Sequence, residues 1–74
     1  MKTVDLKKTV YDICNTYPEA IKIIESLGFT DIVKPGMLAT AGRFMTLPKG
    51  ALLKKIDLNH IKQVFREHGF DVIE

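Results

Sequence analysis

The chain has 74 residues, of which 46% are apolar and 27% are charged, and its formal net charge is +2. This length suits one small domain, so residues 1–74 are expected to form a single unit. The composition is that of a globular protein and excludes an intrinsically disordered chain. A net charge this small does not by itself predict a partner of either sign.

The single cysteine, Cys14, excludes an intrachain disulfide, and no cluster of cysteine and histidine surrounds it that would predict a zinc site. Residues 1–10 lack the apolar core of a signal peptide, and no apolar run reaches the ~18 residues of a membrane span. We therefore expect a cytoplasmic protein that works without a membrane, a metal or a cofactor.

The first half of the chain predicts an extended arm and two helices. Residues 2–6 alternate in polarity, and Thr9 is an N-cap candidate for a helix over residues 10–15. The next helix has Pro18 at its first position and Gly28 just past its end. Its apolar stripe at helical spacing consists of Ala20, Ile23, Ile24 and Leu27.

The middle of the chain predicts a connection and a third helix. Phe29 is expected to fold back on the preceding helix as a hydrophobic C-cap contact. Residues 30–36 have the composition of a connection, because Pro35 and Gly36 interrupt regular structure. Residues 37–41 then predict a short helix, which Gly42 ends.

Two more helices and a second extended arm follow. Thr46 is the N-cap candidate of a helix to about residue 56, with Leu47, Ala51 and Leu52 expected to be buried. Asp57 is the N-cap candidate of a last helix that ends at Gly69 and buries Leu58, Ile61, Val64 and Phe65. Residues 70–73 are an extended tail. The predicted fold class is all-α: a compact array of about five short helices, with N- and C-terminal arms that can pair.

Three stretches carry a resemblance to a known family: "YPEAIKIIESLGF", "MLATAGRFMTL" and a final helix pair ending in "HGFDVI". Together they resemble DUF1858, a small multihelical domain of unknown function. A related branch, the redox-disulfide domains associated with hybrid-cluster proteins, carries a Cys-x-x-Cys near residues 30–40. This chain has no cysteine there, so that branch's dithiol chemistry does not carry over, because disulfide exchange needs an attacking and a resolving thiol.

The candidate site lies in a basic segment. Between Asp31 and Asp57 the chain has no acidic residue but has Lys34, Arg43, Lys49, Lys54 and Lys55. Arg43 lies three residues before the predicted N-cap Thr46, and Gly42 precedes it. A guanidinium, a helix N-terminus and a closely approached backbone can together hold an anion. The predicted ligand-binding residues are Met37, Thr40, Gly42, Arg43, Phe44 and Thr46.

Structural roles are the alternative for the same residues. Arg43 can instead pair with a carboxylate or cap the carbonyls of the preceding helix. Four apolar residues of this stretch can belong to the core of so small a chain, namely Met37, Leu38, Phe44 and Met45.

The sequence shows no catalytic constellation, and His60 and His68 are eight residues apart, too far to share a metal ion on one helix. We therefore expect a non-catalytic binding or accessory module for a small anionic ligand or a protein partner near residues 37–47. A homodimer is a further candidate assembly. The alternative is a helix-turn-helix nucleic-acid binder over residues 46–68, whose groove-facing residues would be Asn59, His60, Lys62, Gln63 and Arg66.

Overall fold

The computed structural model describes residues 2–74 and confirms a helical fold with paired terminal arms. The elements in chain order are β1 (Lys2–Asp5), α1 (Val10–Thr16), α2 (Ala20–Ser26), α3 (Pro35–Ala39), a 3₁₀ turn (Ala41–Arg43), α4 (Leu47–Lys54), α5 (Leu58–Glu67) and β2 (Phe70–Ile73). Each of the five predicted helices is therefore present in the described part of the chain.

The two terminal arms pair as parallel strands, with Lys2 opposite Phe70 and Val4 opposite Val72. The Leu6 amide extends the pairing by donating to the Ile73 carbonyl at 2.8 Å. Val4 is fully buried, so the inner side of this small sheet contributes to the core. The sheet thus joins the two ends of the chain.

All three predicted N-caps are confirmed. Thr9 Oγ1 accepts a hydrogen bond from the Asp12 amide at 3.1 Å, and Thr46 Oγ1 accepts one from the Lys49 amide at 3.3 Å. Asp57 Oδ1 accepts from the Asn59 amide at 2.9 Å. Each of these side chains satisfies an amide that the first turn of a helix leaves without a carbonyl partner.

Four helix boundaries differ from the prediction. Pro18 lies in a turn before α2, where the Ile21 amide bonds the Pro18 carbonyl at 3.1 Å with i to i+3 spacing. Pro35 begins α3 instead of ending the preceding connection, because its restricted φ suits a first helical position. Gly42 lies within the 3₁₀ turn, and α4 ends at Lys54 because Lys55 takes the left-handed conformation (φ 57°).

The core combines residues from both strands and from every helix except α3. Its largest fully buried side chains are Phe65, Ile24, Leu47, Ile61, Val4 and Val10. The Phe70 ring meets Tyr17 and Phe65 edge to face, at centroid distances of 5.3 and 5.4 Å. Phe29 is also buried, with its amide bonded to the Ile24 carbonyl of α2 at 3.3 Å and its ring against Gly50 of α4. These aromatic contacts lock β2 against α5.

Two expectations about buried side chains are wrong. Leu52 is 83% exposed, because it lies five residues after the buried Leu47 and a helix places that position about 140° around its axis. The core alternative also fails for Met37 and Phe44, which are 45% and 80% exposed. Leu38 and Met45, in contrast, pack against the core.

Gly50 in α4 is expected to resist substitution, and Gly36 in α3 is the matched control. A Cβ at Gly50 would lie 2.6 Å from Cε1 of the buried Phe29 ring, whereas one at Gly36 would meet nothing within 4 Å. Gly50→Ala should lower the free energy of unfolding by about 1–3 kcal/mol, since overpacking outweighs the gain in helix propensity. Gly36→Ala should raise it by up to about 1 kcal/mol. Urea denaturation measures both, and an unchanged Gly50→Ala midpoint would mean that the Phe29 ring is free to move.

Candidate functional site

The 3₁₀ turn packs against α1 through Gly42, which is buried. A Cβ at this position would lie 3.1 Å from Leu38 Cδ1 and 3.6 Å from the Tyr11 backbone nitrogen. The missing side chain therefore lets the turn approach α1 closely. Leu38 and Tyr11 occupy the space through which a ligand would approach this backbone from that side.

Arg43 is exposed and lies over an aromatic ring. Its guanidinium carbon is 4.7 Å from the centroid of Tyr11, a cation–π geometry. The alternative of a carboxylate partner is wrong, because the ion pairs within residues 2–74 are Lys2–Glu19, Lys34–Asp31 and Lys62–Glu74. The charge of Arg43 is thus oriented by Tyr11 without being neutralised.

The two predicted threonines serve helix ends. Thr40 Oγ1 donates to the Gly36 carbonyl at 2.9 Å, at the end of α3. Thr46 Oγ1 caps the Lys49 amide, and Pro48 beside it has no N–H to offer. The first turn of α4 therefore presents fewer free amides than an anion site at a helix N-terminus normally uses.

The apolar members of the predicted site point outward. Met37 and Phe44 are two of five large apolar side chains that are exposed in residues 2–74, and the others are Leu52, Leu53 and Ile73. Four of these five, all except Ile73, lie in the segment 32–56, which contains no acidic residue. The structure thus concentrates exposed apolar side chains in the basic part of the chain.

The outer face of α4 carries two of these residues beside cations. Lys49 precedes Leu52 by three positions and Leu53 by four, so the three side chains are neighbours on the helix surface. Lys54 and Lys55 follow directly, and all five residues are exposed. We call Lys49, Leu52, Leu53, Lys54 and Lys55 the α4 surface.

Sequence reasoning missed the two leucines of the α4 surface, although a signal was present. The inward face of α4 consists of Leu47, Gly50 and Ala51, which follow one another at i, i+3 and i+4. With that face assigned, Leu52 and Leu53 have to lie on the other side of the helix. The first prediction instead grouped Leu52 with Leu47 and Ala51.

Lys55 of the α4 surface is in a costly backbone conformation. Its φ of 57° and ψ of 42° are left-handed, and it is the one non-glycine residue with positive φ among the described residues. A side chain in this region costs on the order of 1 kcal/mol, which glycine would avoid. Position 55 therefore carries a lysine although its backbone conformation favours glycine. A residue kept in an unfavourable conformation is a candidate for a functional role.

The last helix offers less positive charge than its sequence suggests. Asn59, His60, Gln63 and Arg66 are exposed, as a groove-facing helix requires. The ammonium of Lys62, however, bonds the carboxylate of Glu74 and lowers the pKa of that carboxyl. His68 Nδ1 lies 2.8 Å from the Val64 carbonyl at the end of α5. Within residues 2–74 no group of three or more His, Cys, Asp or Glu is placed to hold a metal ion.

The family assignment follows from comparison with known proteins. DUF1858, a domain of unknown function, matches residues 4–62. This chain belongs to the DUF1858 family. The match includes all six predicted ligand-binding residues and the whole α4 surface. Residues 2–74 contain no helix that is both long and apolar enough to cross a membrane.

A solved structure shows the same fold over the full length of this DUF1858 domain. It is described as the conserved domain protein from Streptococcus pneumoniae TIGR4, and it is 27% identical with a TM-score of 0.94. The similarity covers 99% of this chain and 92% of that chain. No curated protein is significantly similar. Neither the description of the family nor that of the solved structure names a ligand.

The stacking of Arg43 on Tyr11 predicts a measurable coupling energy. Arg43→Ala should lower the free energy of unfolding by about 0.5–1 kcal/mol, and Tyr11→Leu should remove most of that difference. A double-mutant cycle by urea denaturation measures the coupling. Tyr11→Phe is the control, since it keeps the ring and should keep the coupling. Additive effects of Arg43→Ala and Tyr11→Leu would show that the contact contributes nothing to stability.

Cys14 is expected to be chemically inert in the folded domain. The residue is 3% exposed, and burial raises the pKa of its thiol to about 11. Near pH 8 the thiolate that reacts with disulfide reagents is therefore scarce and shielded. Reaction with a chromogenic aromatic disulfide should be slow in buffer and fast in denaturant. Equal rates under the two conditions would contradict the burial of Cys14.

Proposed function

We propose that this DUF1858 domain is a non-catalytic module that binds a protein partner through its basic segment, and that the contacting surface of the partner is acidic and apolar. The observation that carries the proposal is the placement of exposed apolar residues. Met37, Phe44, Leu52 and Leu53 are exposed within a stretch that has cations and no carboxylate.

The exposed apolar side chains support the first element of the proposal, an apolar contact with a protein partner. Single exposed leucines are normal on protein surfaces, so exposure alone decides nothing. Here two consecutive leucines, 83% and 71% exposed, occupy the outer face of one short helix. Burying a leucine side chain contributes about 1.5–3 kcal/mol, so a partner that covers both has a substantial driving force. A contact of this kind favours a protein over a small polar ion.

The exposed cations of the basic segment support the second element of the proposal, an acidic partner. Arg43, Lys49, Lys54 and Lys55 take part in none of the ion pairs formed within residues 2–74. Charges at the rim of an interface select a complementary partner and speed its association. An apolar centre with a basic rim therefore fits a partner segment with leucine- or phenylalanine-type side chains flanked by aspartate or glutamate.

The other candidate functions have less support from the geometry. A small anion near residues 37–47 would meet a capped helix end and a glycine covered by Leu38 and Tyr11. A nucleic acid on α5 would have to compete with Glu74 for Lys62. Neither ligand gives a role to Leu52 and Leu53, because phosphate contacts use cations and hydrogen-bond donors.

A designed peptide can test the proposal by amide-resolved NMR titration. The probe is a helix of about 18 residues with leucines on one face and glutamates on the other, long enough to be helical in solution. We expect saturable shifts across the α4 surface. The same peptide with lysines in place of the glutamates should bind about tenfold more weakly or not at all.

Two variants locate the binding. Leu52→Ser with Leu53→Ser should weaken the acidic peptide about tenfold or more while leaving the fold intact, because both side chains are exposed. Ile73→Ser is the matched control and should leave affinity unchanged, since Ile73 is the one large apolar residue of residues 2–74 that is exposed outside the basic segment. Equal binding of the two peptides would overturn the acidic partner. Shifts along α5 with a DNA duplex, shifts at Arg43 with phosphate, or self-association through α4 would each replace the proposal by that alternative.

A further inference from the structure

A cleft lies on a part of the molecule that the proposed partner surface does not include. It is formed by both terminal strands, α2 and the C-terminal end of α5, and its volume is about 410 Å³. This volume is within the range of roughly 300–1,000 Å³ that small-molecule sites occupy. No residue that lines the cleft belongs to the segment 32–56.

The floor of the cleft is apolar and well supported. Ile23 and Phe70 line it, and they are 5% and 3% exposed. The Phe70 ring is packed edge to face against Tyr17 on one side and Phe65 on the other. These two side chains are held rigidly in the core and leave a small accessible area, which an apolar group of a ligand would contact.

The rim of the cleft carries one cation that the protein does not neutralise. Lys2 Nζ is 3.1 Å from a Glu19 carboxylate oxygen and 5.3 Å from the Phe70 ring centroid, so its charge is already paired. Lys22 lines the same cleft and takes part in no ion pair among residues 2–74. After Lys2 and Glu19 cancel, Lys22 leaves a single positive charge beside the apolar floor.

His68 adds a second polar group at the cleft. Its Nδ1 lies 2.8 Å from the Val64 carbonyl oxygen. A carbonyl oxygen only accepts hydrogen bonds, so the proton of this bond is on Nδ1 of His68. Nε2 takes no part in this hydrogen bond. The ring is thereby held at the C-terminal end of α5, where it lines the cleft together with Lys22.

We propose that this cleft binds a small organic carboxylate, with the apolar body of the ligand on Ile23 and Phe70 and its carboxylate at Lys22. One uncompensated lysine matches one negative charge, which favours a carboxylate over a phosphate dianion. The apolar floor favours a ligand with an apolar body, because an inorganic anion gains nothing from Ile23 and Phe70. The site is independent of the partner surface, so either can fail without the other.

Sodium benzoate is the probe, titrated into the isotope-labelled domain and followed by amide-resolved NMR. We expect saturable shifts at residues 22–26 and 68–70. Benzyl alcohol keeps the ring but lacks the charge, so its affinity should be at least about fivefold lower than that of benzoate. Inorganic phosphate should produce no saturable shift at these residues. Lys22→Gln should weaken benzoate about tenfold. Lys7→Gln removes an exposed lysine outside this cleft and should leave binding unchanged.

Three results would overturn the proposal. Benzoate shifts that stay linear with concentration, or that map outside the cleft, would mean that the cleft is not a site for carboxylates. Equal affinity for benzyl alcohol would remove the role of charge. Equal losses in Lys22→Gln and Lys7→Gln would assign the effect to net charge alone and not to Lys22.

Discussion

Pairing of the first strand with the last is the interaction on which the rest of the structure depends. β1 and β2 are parallel, so the chain between them has to cross from one end of the sheet to the other, and all the helices together form that crossover. Helix packing and strand pairing therefore support each other. Tyr17 reinforces the closure, since its hydroxyl accepts a hydrogen bond from the Thr3 amide of β1 while its ring packs on Phe70 of β2.

A chain of this size without a disulfide needs close contact between its elements, and two glycines provide it. Gly50 lets the Phe29 ring lie against α4, and Gly42 lets the 3₁₀ turn lie against α1. Both glycines cost backbone entropy, which the contacts must offset. The Thr9–Thr46 bridge then ties the starts of α1 and α4 together, with the Val10 amide bonded to the Met45 carbonyl at 2.7 Å. Close backbone approach here takes the place of a covalent staple.

Much of this fold could be predicted from short sequence patterns, because the residues that form each pattern interact within one or two helical turns. The caps at Thr9, Thr46 and Asp57 and the apolar stripe of α2 belong to this class, and the structure confirms them. The roles of Gly42 and Gly50 were out of reach, since each depends on a residue from another element, Tyr11 or Phe29. The candidate site shows the same division. Its position was predicted from charge and glycine content, but which of its side chains turn inward is decided by tertiary packing. That packing buries Gly42 and leaves Arg43 and Phe44 outside.

The exposed leucines of α4 are more informative in this chain than they would be in a larger one. Small domains bury a smaller fraction of their surface and have little apolar material to spare. α4 nevertheless buries Leu47, Gly50 and Ala51, two of which are small, and leaves Leu52 and Leu53 in solvent. Reversing these faces would bury more apolar area, but it would bring bulky side chains to the position where the Phe29 ring needs a glycine. The inward face of α4 is thus explained by the fold. Leucine on the outward face is not, because Glu, Lys or Gln form helices about as well and are the usual residues at solvent-exposed positions. The partner contact proposed for the α4 surface would give both leucines a role that the fold itself does not.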